Sequence, residues 1–298
     1  LVFRPAGVSI TQLQWFARDG RRLTSVGPSG PYQQMALSPS GRRLALQRGE
    51  PSTTALSGTD IWMMDLTTGV LSRLTSDPDF DGDPSWSPDE RSIAFTTRRP
   101  GRMSLFKKDL STGAETPLTN FGFPVNLDEW TPDGRFVIFR NLGRAIQALP
   151  LVGERTPRII VDTPLAIEDQ VHVSPDGRWI AFNSNESGRW EVYVASFPEF
   201  LSKRQISTDG GVQPMWRSNG RELFYLDPRG QLMMVTSGAD ADFGVPRALF
   251  QARINPTPHL GEYGVAPDGQ SFLFLEPVGP PPPAFAFIVN WQADAAVK

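Results

Sequence analysis

The chain has 298 residues, no cysteine and a formal charge of −3, with 32 Asp and Glu spread among 29 Lys and Arg. That excludes disulfides, thiolate catalysis and cysteine-type zinc sites, and the lack of a basic block excludes nucleic acid as a main partner, because phosphate binding needs clustered Lys and Arg. No run approaches the roughly 18 apolar residues of a membrane span, while 39% hydrophobic residues with 28 Pro and 27 Gly describe a chain that buries a core and turns often.

In chain order, Leu1-Val2-Phe3-Arg4-Pro5 carries neither Met nor a charged-then-apolar leader and reads as the end of a strand, so the chain is expected to be part of a longer one. Residues 12–17 and 22–26 read as a third and a fourth strand. Then a short anchor begins to recur: a few apolar residues, a Ser-Pro-Asp-Gly-type turn, a basic residue and three apolar residues. The turns are Ser38-Pro39-Ser40-Gly41, Ser87-Pro88-Asp89-Glu90, Thr131-Pro132-Asp133-Gly134, Ser174-Pro175-Asp176-Gly177, Arg217-Ser218-Asn219-Gly220 and Ala266-Pro267-Asp268-Gly269. Their first positions lie 49, 44, 43, 43 and 49 residues apart, the period of a four-stranded propeller blade.

The register inside the repeat is stricter than the period. Five residues after the second turn position stands Leu44, Ile93, Val137, Ile180, Leu223 or Phe272, each opening an apolar triplet. Three residues after that same turn position come Arg42, Arg91, Arg135, Arg178 and Arg221, with Gln270 in the sixth copy. These arginines are expected to be solvated residues opening a second strand. Pro fixes φ at the second position of a type I turn, Asp or Asn suits the third and Gly the fourth, so each anchor is a hairpin. Third and fourth strands follow, as in residues 60–66 and 72–75 joined by Thr67-Thr68-Gly69.

Four local antiparallel strands per repeat predict an all-β fold: one six-bladed propeller over residues 1–298, closed by strands from both termini. Residues 285–291 after the proline-rich segment 277–283 read as a surplus third strand. A seven-bladed ring would use it, at the cost of leaving incomplete blades with open edges.

Catalytic constellations are sparse. His172 sits in a first-strand anchor and reads as a satisfied structural histidine; His259 lies in a loop and reads as solvated. There is no Gly-x-Ser-x-Gly elbow, and neither histidine has a partner at zinc-ligand spacing. Asp242-Phe243-Gly244 spells the magnesium triplet of protein kinases but lacks the other obligatory parts. Asp77, Asp79 and Asp81 alternate before Gly82, as at the start of a calcium loop, although the twelfth position is Pro88. These three are the candidate calcium ligands, the rival being a solvated acidic loop at the mouth of the channel.

The anchors Trp86-Ser87-Pro88-Asp89 and Val173-Ser174-Pro175-Asp176-Gly177-Arg178-Trp179-Ile180-Ala181-Phe182 resemble the repeat of TolB-like propellers. The blade around residues 216–226 and the ending Ile288-Val289-Asn290-Trp291 look like the extracytoplasmic propeller region of bacterial eukaryotic-type serine/threonine kinases. Prolyl-oligopeptidase-type peptidases carry the same repeat as a gate, and TolB itself is a periplasmic protein-binding module. The resemblance implies an extracytoplasmic sensor or protein-interaction module without catalysis, with a protein, peptide or small ligand at the channel mouth. The alternatives it leaves open are a peptidase gate and a TolB-like binding module.

Overall fold

The computed structural model describes residues 10–49, 58–99, 103–119, 125–141, 145–238 and 242–279. Among them, short runs of β-formers bounded by Gly, Pro and Asx turns make 24 strands and no helix. The chain opens with β1 (Thr11–Ala17) and β2 (Arg22–Gly30). Blade I is β3 (Tyr32–Leu37), β4 (Arg43–Gly49), β5 (Thr59–Asp65) and β6 (Leu71–Arg73). Blade II is β7 (Asp81–Trp86), β8 (Ser92–Thr97), β9 (Ser104–Asp109) and β10 (Glu115–Pro117). Blade III is β11 (Val125–Trp130), β12 (Phe136–Asn141), β13 (Ile146–Pro150) and β14 (Arg158–Val161). Blade IV is β15 (Glu168–Val173), β16 (Trp179–Ser184), β17 (Glu191–Ser196) and β18 (Lys203–Gln205). Blade V is β19 (Val212–Trp216), β20 (Glu222–Leu226), β21 (Gln231–Thr236) and β22 (Arg247–Gln251), and β23 (Tyr263–Val265) and β24 (Ser271–Pro277) follow.

Blade VI is shared between the ends of the chain: its order is β23-β24-β1-β2, so each terminus gives two strands. All seven residues of β1 pair with β24, from Thr11 opposite Pro277 to Ala17 opposite Ser271. Six four-stranded antiparallel sheets are therefore complete, as the repeat count predicts. The third-strand candidate at 285–291 lies outside the described residues, as do residues 1–9.

The apolar residues of each sheet face the neighbouring sheets, because both faces of a blade are covered. Six buried clusters result, and each joins two successive blades. The one between blades III and IV packs Ile138 and Ile146 against Ile180 and Phe182. The one that seals the ring packs Phe224 of blade V against Phe16, Phe272 and Phe274 of blade VI, with Phe224 and Phe272 edge-on at 5.0 Å. A fully buried side chain of this size contributes about 1.5–3 kcal/mol, so the blades hold one another rather than standing alone.

All six anchor turns form. The fourth residue donates its N–H to the carbonyl of the first at 2.8–2.9 Å in every copy. That fourth residue has a left-handed φ, 65–72° where it is glycine and 57° at Glu90. Glu90 compensates for the strain with its carboxylate, which accepts the Ser40 N–H and pairs with Arg43 of the neighbouring blade at 3.0 Å. The five arginines that follow the turns are exposed, as expected.

Candidate functional site

The repeat brings the same positions of every blade to the axis. The second turn residues, Pro39, Pro88, Pro132, Pro175, Ser218 and Pro267, form a rim. Below them lie the residues one before each turn, Leu37, Trp86, Trp130, Val173, Trp216 and Val265. Two before each turn come Ala36, Ser85, Glu129, His172, Met215 and Gly264. All eighteen line one cavity of about 400 Å³, so the six turns surround a single channel mouth on one face of the disc. Neighbouring turns touch: a β-carbon on Gly41 would lie 2.7 Å from Pro267 Cδ, and Ser218 Oγ donates to the Pro267 carbonyl.

The wall is not symmetric. Among the described residues Glu129 and His172 are its one facing ionic pair, with His172 Nδ1 3.3 Å from Glu129 Oε1. The second Glu129 oxygen accepts the Val173 N–H. Burial pulls the His172 pKa down, but the Glu129 charge and hydrogen bond outweigh it and leave it above the usual histidine value. His172 is thus satisfied, as the sequence suggests, yet it is also a wall residue of the cavity.

Deeper in the channel the first strands bulge. Register shifts interrupt the pairing of β3, β7, β11, β15 and β19 with their neighbours. Four residues before the turn, Asp83, Gln170 and Gln213 have φ of 51–56°, a bulge conformation that frees the local N–H from the ladder. A belt of side chains, most of them from the preceding blades, satisfies the N–H groups around these bulges, and Asp169 Oδ1 of the same strand takes the Gln170 N–H at 2.8 Å. The Asp83 N–H goes to Gln47 Oε1 at 3.2 Å, the Leu127 N–H to Thr96 Oγ1 at 2.9 Å and the Gln213 N–H to Asn183 Oδ1 at 3.2 Å. Gln47, Thr96, Arg140 and Asn183 share one repeat position, nine residues past the turn start.

Arg140 uses that position to collect charge. Its Nε lies 2.9 and 3.0 Å from the two oxygens of Asp128, and its Nη1 reaches Asp169 of blade IV at 2.5 Å. Asp128 and Asp169 are 2% and 1% exposed. Burial, reinforced by the charges of Asp169 and Asp83 and opposed by Arg140, pushes the Asp128 carboxyl up to about 7. Burial also raises Asp83, against a hydrogen bond from Asn126 Nδ2 at 2.9 Å. Asp169 Oδ2 accepts His259 Nδ1 at 2.5 Å, so His259, although 58% exposed, is tethered and not merely solvated as its loop position suggests. Gln213 carries the belt into blade VI through Glu262 Oε2 at 2.8 Å and the Glu262 N–H at 2.9 Å. The Met35 N–H, bonded to the Gly261 carbonyl at 3.0 Å, returns it to blade I.

The calcium candidates lie at the same end. Asp77 and Asp81 both bind Arg99, at 3.0 and 2.5 Å, and Glu115 is a third partner of that guanidinium. Asp79 is exposed, and its N–H caps Asp77 Oδ1 at 3.0 Å. Arg99 thus holds the position between Asp77 and Asp81, and among the described residues no group of three or more His, Asp or Glu has metal-binding geometry. In the Asp242-Phe243-Gly244 triplet, Phe243 is buried against Trp216 at 6.1 Å and the Gly244 N–H bonds the Thr236 carbonyl. The triplet serves the hairpin before β22.

The sequence reading missed Glu129, Asp128, Arg140 and Asp169. For Arg140 a signal was available: polar residues recur at its repeat position where the last two blades have Leu226 and Leu275.

Comparison with known proteins agrees with the fold. Residues 19–151 match a family described as the TolB beta propeller domain. The Tol-Pal system protein TolB of Francisella tularensis subsp. holarctica is 24% identical over 194 residues, covering 61% of this chain and 43% of that protein. The chain therefore spans less than half the length of the curated relatives it matches. A putative TolB from Agrobacterium tumefaciens superposes with a TM-score of 0.69 at 19% identity, over 92% of this chain and all of that one. TolB from Acinetobacter baumannii does so at 0.60 and 21% identity, over 83% of this chain and 66% of that one.

Proposed function

We propose that this chain, a β-propeller similar to those of TolB proteins, is a non-catalytic recognition module, which binds a protein segment or peptide in the turn-face cavity. One observation carries the reading: eighteen residues from three repeat positions of all six blades converge on a single open cavity, beneath which the belt bonds cross from blade to blade. A cavity of about 400 Å³ lies within the usual range of small ligand sites, and it suits a side chain or chain end better than a folded element. The location that fits this role is extracytoplasmic, in keeping with its TolB relatives. The finer role is that of a sensor region attached to a membrane-anchored serine/threonine kinase, which rests on the likeness of blade V to such regions.

The test is to fill the cavity without touching the belt. Ala36→Phe in the wall and Ser218→Trp at the rim should each abolish binding of peptides selected on the wild-type protein, with far-ultraviolet circular dichroism unchanged. Full binding by both variants would refute the cavity as the site.

A further inference from the structure

We infer that the turn-face cavity takes a primary ammonium group carried on a slender apolar stem, supplied either by a lysine side chain or by the free N-terminus of a peptide. The inference rests on the recognition reading above and names the chemistry of its ligand.

The polar lining offers acceptors. Gln34 lines the cavity, and its Oε1 is buried with no hydrogen-bond partner, a costly state unless a donor arrives. Glu129 presents a half-buried carboxylate in the wall. A carboxylate or phosphate ligand would place further acceptors against these; an ammonium group brings three donors and no acceptor.

The charge around the cavity points the same way. Among the described residues that line the cavity, Asp128 and Glu129 are the acidic side chains and His172 the basic one, with no Lys or Arg. Arg140, the cation nearest to them in the belt, is already held by Asp128 and Asp169. In a cavity walled by protein the Glu129 carboxylate is poorly screened, so a bound cation is favoured and an anion opposed.

The apolar lining fits the stem. Met35, Leu37, Met215 and Val265 flank the cavity, and the rings of Trp130 and Trp216 stand beside them. Methylene groups pack on such walls while the charged head seeks acceptors, and indole faces attract a cation that passes them.

Calorimetric titration of the whole chain with four small probes separates the two sources. N-acetyl-lysine amide is compared with N-acetyl-norleucine amide, and alanyl-leucine amide with its N-acetylated form. The expected result is at least ten-fold tighter binding of one amine or both over its neutral counterpart. Glu129→Gln, which keeps an acceptor for Val173, should remove that preference, and Gln34→Leu should weaken the amine several-fold with no effect on the neutral probes. Equal binding of amine and neutral probes would overturn the inference alone, as would an undiminished preference in Glu129→Gln. No binding of any probe, together with full peptide binding by the filled-cavity variants, would overturn both readings.

Discussion

The two ends of the channel are built in opposite ways. The turns that ring the turn-face mouth are nearly the same in every blade, and each is closed by its own 2.8–2.9 Å hydrogen bond. The belt at the other end uses positions that differ from blade to blade, and its bonds run between blades: Arg140 to Asp169, Asn126 to Asp83, Gln213 to Glu262. Local closure makes the mouth tolerant of substitution and leaves its walls free to vary. Closure between blades makes the belt a shared structure in which one loss strands several buried groups.

The comparison breaks most directly at Arg140. Arg140→Met leaves Asp128 and Asp169 buried without their common cation and should cost about 3–5 kcal/mol, read as a fall in the midpoint of chemical denaturation. The matched change at the mouth, Pro132→Ala, relaxes only the unfolded chain at an exposed turn position and should cost about 0.4–1 kcal/mol. Similar losses for the two would remove the distinction.

A pH series sharpens it. Burial raises Asp81, Asp83, Asp128, Glu168 and Glu262, and the Glu129 charge raises His172. In each case the folded state holds a proton at pH values where the unfolded chain has released it. Stability contributed this way is complete below the unfolded values and is lost as pH rises through the folded ones, so stability should fall between about pH 5 and 8. The loss should be on the order of 2 kcal/mol. The lowered groups, such as Asp109, held down by Ser111 and Thr112, act with the opposite sign and only in more acidic solution. In Asp128→Asn the slope between pH 5 and 8 should shrink, whereas Pro132→Ala at the mouth should leave it unchanged.

The smallest effect is expected at the Asp77–Asp81 loop. With Arg99 already between two of its carboxylates, millimolar calcium should leave the melting temperature of the wild type unchanged. A rise that Asp79→Asn with Asp81→Asn abolishes would instead identify these aspartates as calcium ligands.

What the sequence discloses follows the same division. The turns, the blade period and the closure by both termini are legible because Pro, Asp and Gly act on their own backbone within four residues. His172 is legible as satisfied, but not its partner, because Glu129 lies 43 residues away in the preceding blade. Arg99 is hidden for a related reason: it follows β8, and only pairing within blade II returns it to Asp77 and Asp81. The belt becomes visible in the sequence only when the repeats are aligned and the ninth position is compared across blades.

Because the chain has no cysteine, a single introduced thiol can report on either mouth. Asn219→Cys places an environment-sensitive dye at the turn-face rim, and Asp209→Cys places the same dye in the exposed loop between β18 and β19 at the opposite end. Titration of both proteins with a peptide that binds the wild type should give a saturable change at position 219 and none at 209. A change confined to position 209 would show that the belt end, and not the turn-face cavity, is where this propeller meets its ligand.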